Sequence, residues 1–125
     1  MDDKIIDNKE VELLPRIVYQ MCVHGALLCG SYAKKLMGEV ETSGDYDLIV
    51  PYDKWATVAL LIPRDSAELN SFGGIRFTDK HGNQIDVWQG DPMTYLYECR
   101  TKYGGKVYVI DYINNRVFSS QTIEL

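Results

Sequence analysis

Asp45 and Asp47, in Gly44-Asp45-Tyr46-Asp47-Leu48-Ile49-Val50, stand two residues apart at the head of an apolar run. A third acid, Asp86, is set inside Ile85-Asp86-Val87-Trp88. In extended chain, residues two apart project from the same face, so Asp45 and Asp47 point together. The run Leu48-Ile49-Val50 is too apolar for a loop and is ended by Pro51, which predicts a strand entering a core. Carboxylates held close together raise one another's pKa unless a cation lies between them. Oxygen-only ligands of this kind suit a hard divalent cation such as Mg2+, with water and substrate phosphates completing its shell. The pattern points to metal-dependent phosphate chemistry.

A phosphate-binding partner for these acids is sought upstream. Residues 25 to 30 have the outline of a P-loop, but Ser31-Tyr32 stands where Lys and Ser/Thr are required, so that reading fails. What remains is a predicted strand, the pair Gly30-Ser31, and a predicted helix. Glycine permits close backbone approach, a serine hydroxyl donates to a phosphate oxygen, and the start of a helix offers unpaired N–H groups. Alone, this pair is as often a turn and a helix cap. Taken singly, each acid is equally well explained as a carboxylate facing water at a loop or sheet edge. Gly30-Ser31 followed by the acid pair one loop later, with apolar runs behind each acid, favours the functional reading.

Other chemistries fare worse. Cys22, Cys29 and Cys99 are an odd number with no Cys-x-x-Cys pair, and Cys22, His24 and Cys29 match no zinc spacing. Cys29 lies in the apolar run Ala26-Leu27-Leu28-Cys29 and reads as a small buried thiol. His24 and His81 read as turn residues, so Ser/His or Cys/His nucleophilic catalysis is set aside.

The chain has 125 residues, 46% of them apolar and 25% charged, with a formal net charge of −5. This is the composition of one soluble α/β-sized domain, 1–125, with enough chain for a real core. There is no basic footprint for a long nucleic acid, although a bound cation reverses the sign locally at a phosphate site. No apolar stretch approaches a membrane span, the start Met1-Asp2-Asp3-Lys4 is unlike a signal peptide, and a cytoplasmic location is expected.

The elements that must position the acids alternate. A helix is predicted over 8–23, starting or kinking at Pro15, then a strand over 26–29 and a helix over 32–37. A loop to Gly44 leads to a strand over 46–50 and a helix over 53–62 with Asp53 as its N-cap. Residues 63–70 read as loop. Strands over 74–78 and 84–89 form a hairpin through Gly82-Asn83, able to carry Asp86 to the acid pair, and Trp88 shares the Asp86 face. Asp91-Pro92 starts a helix to about 102, and strands over 106–111 and 116–119 follow. The expected fold is α/β, a mixed, partly antiparallel sheet packed with helices. Lys34, Lys35 and Arg76 are candidates for neutralising phosphate charge, and equally for a solvated surface.

The succession Leu28-Cys29-Gly30-Ser31-Tyr32-Ala33, Gly44-Asp45-Tyr46-Asp47-Leu48-Ile49-Val50 and Ile85-Asp86-Val87-Trp88 resembles the DNA polymerase β-like nucleotidyltransferase superfamily, in particular its small single-domain "minimal nucleotidyltransferase" branch. Asn70-Ser71-Phe72-Gly73-Gly74-Ile75-Arg76-Phe77 resembles bacterial and phage members of that group, and the match runs over roughly residues 25 to 119. The resemblance implies a single-domain nucleotidyltransferase-like fold. It implies that Gly30 and Ser31 hold the β,γ-phosphates of a nucleoside triphosphate such as ATP, that Asp45 and Asp47 bind two Mg2+ ions (Mn2+ substituting), and that Asp86 binds one of them near the attacking hydroxyl. The chain departs from the family pattern in its long 31–45 loop and in Gly44, where members often carry Ser. Longer relatives add a helical domain, so the resemblance leaves acceptor recognition to a partner protein or a second copy. The implied acceptors are a protein hydroxyl, an RNA end or a small molecule, protein adenylylation in toxin–antitoxin pairs being one such role. The alternative is an interaction module, antitoxin-like, that binds nucleotide and metal with little turnover.

Overall fold

A computed structural model describes residues 14–41, 44–71, 73–103 and 106–120. Helix α1 (Arg16–Val23) begins directly after Pro15, whose fixed φ suits a helix start and whose carbonyl accepts from Tyr19 N at 2.9 Å. Residues 8–13 of the predicted helix lie outside the described residues, and Leu14 is not helical. Val18, Met21 and Cys22 make the buried stripe of α1.

Strand β1 (Leu27–Cys29) runs straight into helix α2 (Gly30–Leu36), so the helix takes in Gly30-Ser31 rather than starting at Tyr32. Strand β2 (Tyr46–Val50) has the predicted bounds. The predicted long helix over 53–62 is instead a 3-10 turn, Tyr52–Lys54, followed by a short α3 (Trp55–Ala59). Asp53 sits inside that turn and caps nothing; the Pro51 carbonyl accepts from Lys54 N at 2.9 Å in its place.

The predicted loop over 63–70 contains a two-residue strand, β3 (Glu68–Leu69), exposed along its length and without the alternation that marks a half-buried strand. Strands β4 (Ile75–Thr78) and β5 (Gln84–Gln89) form the hairpin. Its turn is tied by Asp79, whose carboxylate accepts from His81 N (2.9 Å), Asn83 N (2.8 Å) and Asn83 Nδ2 (2.9 Å). Gly82 adopts φ +85° within it.

Helix α4 (Pro92–Tyr103) is capped by Asp91, which accepts from Thr94 N at 3.1 Å and Thr94 Oγ1 at 2.7 Å. Strands β6 (Tyr108–Asp111) and β7 (Arg116–Ser119) close the described chain. Among the described residues, no helix is long and apolar enough to cross a membrane.

The strands form one mixed sheet in the order β3-β4-β5-β2-β1-β6-β7. Every neighbouring pair is antiparallel except β2 and β5, which run parallel. One face carries the main core: Leu28, Leu48, Val50, Phe77, Ile85, Val87, Ile110 and Val117, covered by Val18 and Met21 of α1, Tyr32 and Ala33 of α2, and Val58 of α3. The other face carries a small cluster of Cys29, Ile49, Val109 and Leu96, the last from α4. Burying each large apolar side chain of the main core contributes roughly 1.5–3 kcal/mol, so that face decides which way every strand is turned.

Candidate active site

The main core orients the acids. Tyr46 packs into that core with its ring 4.8 Å from that of Tyr32. Its neighbours Asp45 and Asp47 therefore project from the opposite face. Ile85 and Val87 are buried in the same core, which turns Asp86 and Trp88 to the acid side. Phe77 does the same for Arg76. The parallel register then sets Asp47 directly beside Asp86, at the spacing of neighbouring strands, about 4.8 Å. A single row crosses five strands: Glu68, Arg76, Asp86, Asp47 and Cys29.

The electrostatics of this row are strained. Burial, then the charges of Asp86 and Asp45, push the Asp47 carboxyl up to about 6, with Arg76 partly offsetting them. Asp86 is only 6% exposed. Its Oδ1 accepts from Arg76 Nε at 3.0 Å and from Asn70 Nδ2 at 3.2 Å, and Oδ2 has a longer contact, 3.5 Å, from Arg76 Nη2. Asp45 Oδ2 accepts from Gln84 Nε2 at 2.9 Å.

Gly30 belongs to the same neighbourhood. It has φ +68°, and a Cβ built there would run into Asp47 Oδ2 and lie 2.9 Å from Asp47 Cγ. Only glycine fits, both for the left-handed backbone and for the carboxylate pressed against it. Ser31 follows on the exposed side of the first turn of α2. Gly30 and Asp47 are thus one construction.

On the other flank, Cys29 Sγ donates to the Asp47 carbonyl at 3.6 Å. Burial, with the Asp47 charge, pushes the Cys29 thiol well up, so it stays protonated. Tyr95 of α4 faces Cys29 and Cys99, and its ring lies 6.1 Å from Trp88. Trp88 therefore packs against the small cluster as a half-buried rim aromatic. Lys35 lies over the Tyr32 ring at 5.8 Å. His24 and His81 are exposed in turns.

Among the described residues, no three His, Cys, Asp or Glu side chains are gathered closely enough to hold a metal ion as they stand. The donor chemistry nonetheless fits a hard divalent cation. Two carboxylates sit side by side on adjacent strands with Asp47 raised by repulsion, and Mg2+ is ordinarily held by one or two carboxylates with water and substrate phosphates.

Sequence reasoning missed Asn70 and Gln84 as partners of the acids and read Arg76 only as a phosphate or surface charge. The hairpin pattern carried the signal for Arg76, since Phe77 and Ile85 as facing core residues place Arg76 opposite Asp86. Asn70 gave none; it reaches Asp86 through a turn in which its Oδ1 accepts from Gly74 N at 2.8 Å. Gly74 itself is pressed against Trp88, whose Cβ would be 2.7 Å from an added methyl.

This architecture is shared with solved structures. A CCA-adding enzyme in complex with CTP superposes with a TM-score of 0.54 at 12% identity, over 84% of this chain and 28% of the other. The CCA-adding enzyme of Thermotoga maritima complexed with tRNA does so with a TM-score of 0.55 at 16% identity, over 94% of this chain and 30% of the other. The chain has a nucleotidyltransferase-like fold. It spans less than a third of the length of either enzyme. Neither protein-family models nor curated proteins match the sequence.

Proposed function

We propose that the chain transfers a nucleoside monophosphate from a nucleoside triphosphate to a hydroxyl acceptor, releasing pyrophosphate. The observation that carries this reading is the pairing of Asp47 with Asp86 on the parallel strands, with the Gly30 backbone pressed on Asp47. Asp45, Asp47 and Asp86 are the residues that would hold two Mg2+ ions. Bound there, the ions supply the acidity that ionises the acceptor hydroxyl and the positive charge that stabilises the departing pyrophosphate. Gly30 gives the β,γ-phosphates close access to the backbone, and Ser31 donates to them from the exposed side of the turn. Asn70 keeps Asp86 in place, while Gln84 fixes Asp45. The acceptor hydroxyl gives its proton to solvent, its oxygen bonds to the α-phosphorus, and the bond from that phosphorus to the α–β bridging oxygen breaks, so that oxygen leaves with pyrophosphate. Among acceptors, an RNA end is the one to try first, since the structural neighbours are complexes with CTP and with tRNA.

One observation favours a second reading. Asp86 already carries an ion pair with Arg76, which leaves its carboxylate less available to the second cation that turnover needs and suits a module with little turnover. Incubation with Mg2+ or Mn2+ and α-labelled nucleotides, with and without cell extract or RNA, separates the two. Label moving to an acceptor, and lost in Asp47→Asn and Asp86→Ala, is the expected result. No label moving, together with Asp86→Ala binding nucleotide as the parent does, overturns the transferase. A thermal shift with Mg-ATP that persists without transfer supports the binding module.

A further inference from the structure

In the row across the sheet Arg76 stands between two carboxylates, with Asp45 and Asp47 also within electrostatic reach. On β5 its Cα partner is Asp86, and on β3 it is Glu68. It is drawn fully to Asp86, through Nε at 3.0 Å and Nη2 at 3.5 Å. Asp86 is buried, its side chain 8% exposed, whereas that of Arg76 is 42% exposed. A buried carboxylate beside a second one is strongly disfavoured unless a cation neutralises it. In the metal-free chain the guanidinium is that cation. Glu68 is exposed at the sheet edge and remains within electrostatic reach of Arg76.

We infer that Arg76 is a resident counter-charge for Asp86, standing in for a divalent cation, so that cation binding and the Arg76–Asp86 ion pair compete and the guanidinium moves toward Glu68 when the site is loaded. The inference rests on the metal-binding reading above. Its physical content is a negative coupling: the Arg76 charge opposes entry of a second, larger positive charge, and the cation in turn loosens Arg76. Asn70 shares Asp86 Oδ1 but is neutral, so it holds the carboxylate without opposing a cation. Arg76 acts here through Asp86, as a positioning residue whose grip is released on loading.

The test uses Mn2+ as the probe on the full chain, with binding read by electron paramagnetic resonance and stability by thermal unfolding. Arg76→Gln is expected to bind Mn2+ more tightly, on the order of tenfold for removal of one nearby positive charge. Its melting temperature falls below the parent's without metal, and the gap narrows when Mn2+ saturates. Arg76→Lys keeps the charge and is expected to match the parent's affinity within about twofold. Asn70→Ala is expected to leave Mn2+ binding no tighter and to lower stability equally with and without metal. In the unsubstituted protein, Mg2+ is expected to move the Arg76 Nε–H nuclear magnetic resonance signal and speed its solvent exchange, a readout that needs no variant to fold. Mn2+ binding that is unchanged or weakened in Arg76→Gln, or tightened as much in Asn70→Ala, overturns the counter-charge alone, as does an Arg76 signal that ignores saturating Mg2+. No Mn2+ binding by the parent, or binding indifferent to Asp47→Asn, overturns the metal-binding reading and this inference with it.

Discussion

The two faces of the sheet are written by alternate residues of the same strands, and they obey opposite rules. On one face Leu48, Val50, Ile85 and Val87 are buried among α1, α2 and α3, and each added contact favours the folded state. On the other, Asp47 and Asp86 occupy the intervening positions of those strands, close enough for each charge to oppose the other. The apolar face determines the geometry, and the acid face uses it against its own electrostatic preference. Carboxylates are held together because the residues on either side of them are buried in the core, with Arg76 offsetting part of the charge. Site and stability are therefore expected to respond in opposite directions to substitution.

The sharpest break of this contrast compares Phe77 with Asp47. Phe77→Ala is expected to lose about 3–5 kcal/mol of stability by opening a cavity in the main core, read by urea unfolding. Asp47→Asn removes the repulsion with Asp86 and is expected to gain of the order of 1–2 kcal/mol at pH 7.5 in the metal-free chain, while nucleotidyl transfer falls at least a hundredfold. Loss of stability in Asp47→Asn comparable to that in Phe77→Ala contradicts the contrast.

Gly30 is the point where the two faces meet through one backbone. Gly30→Ala is expected to lose about 1–3 kcal/mol from the left-handed φ, and to displace the Asp47 carboxylate that an added methyl overlaps. Nucleotide-dependent thermal shifts should then vanish even where the fold survives.

A pH titration sharpens the electrostatic side. With Asp47 raised from 3.8 to about 6 in the folded chain, the folded state binds a proton that the unfolded state releases between those values. Stability of the metal-free protein should therefore rise as pH falls from about 7 to about 4, by of the order of 2 kcal/mol after allowance for solvent screening. Below that window the trend reverses, because Asp79 and Asp91, held below the usual carboxylate range by their turn and cap hydrogen bonds, become protonated and lose their contribution. Guanidinium unfolding at stepped pH measures both arms, and Asp47→Asn should flatten the upper one.

The smallest effect concerns α4, which covers only the small cluster. Asp91→Ala removes the cap to Thr94 and is expected to lose about 1 kcal/mol, with little change in nucleotide binding.

Much of this was legible in the residues. The strand 46–50 and the strand 84–89 could be bounded because apolar runs end at Pro51 and Gly90, and the Asp45/Asp47 alternation put both acids on one face. Their meeting with Asp86 depended on the β2–β5 parallel pairing, a long-range contact that no local pattern specifies. The two-residue β3 stayed hidden because Glu68 and Leu69 are both exposed. The 53–62 helix was overestimated since Asp53 resembles a cap, whereas Pro51 sets a tighter 3-10 turn there. The ties that hold the acids, Asn70 and Gln84, reach them through tertiary packing and leave no mark of spacing.

The most direct measurement is a carbon-13 nuclear magnetic resonance titration of the Asp47 carboxylate, assigned with Asp47→Asn, without and with saturating Mg2+. The expected result is a midpoint near 6 in the metal-free protein, falling below the ordinary carboxylate value of about 3.9 once Mg2+ is present. A midpoint that starts at the ordinary value, or that Mg2+ leaves where it was, contradicts a cation shared between Asp47 and Asp86.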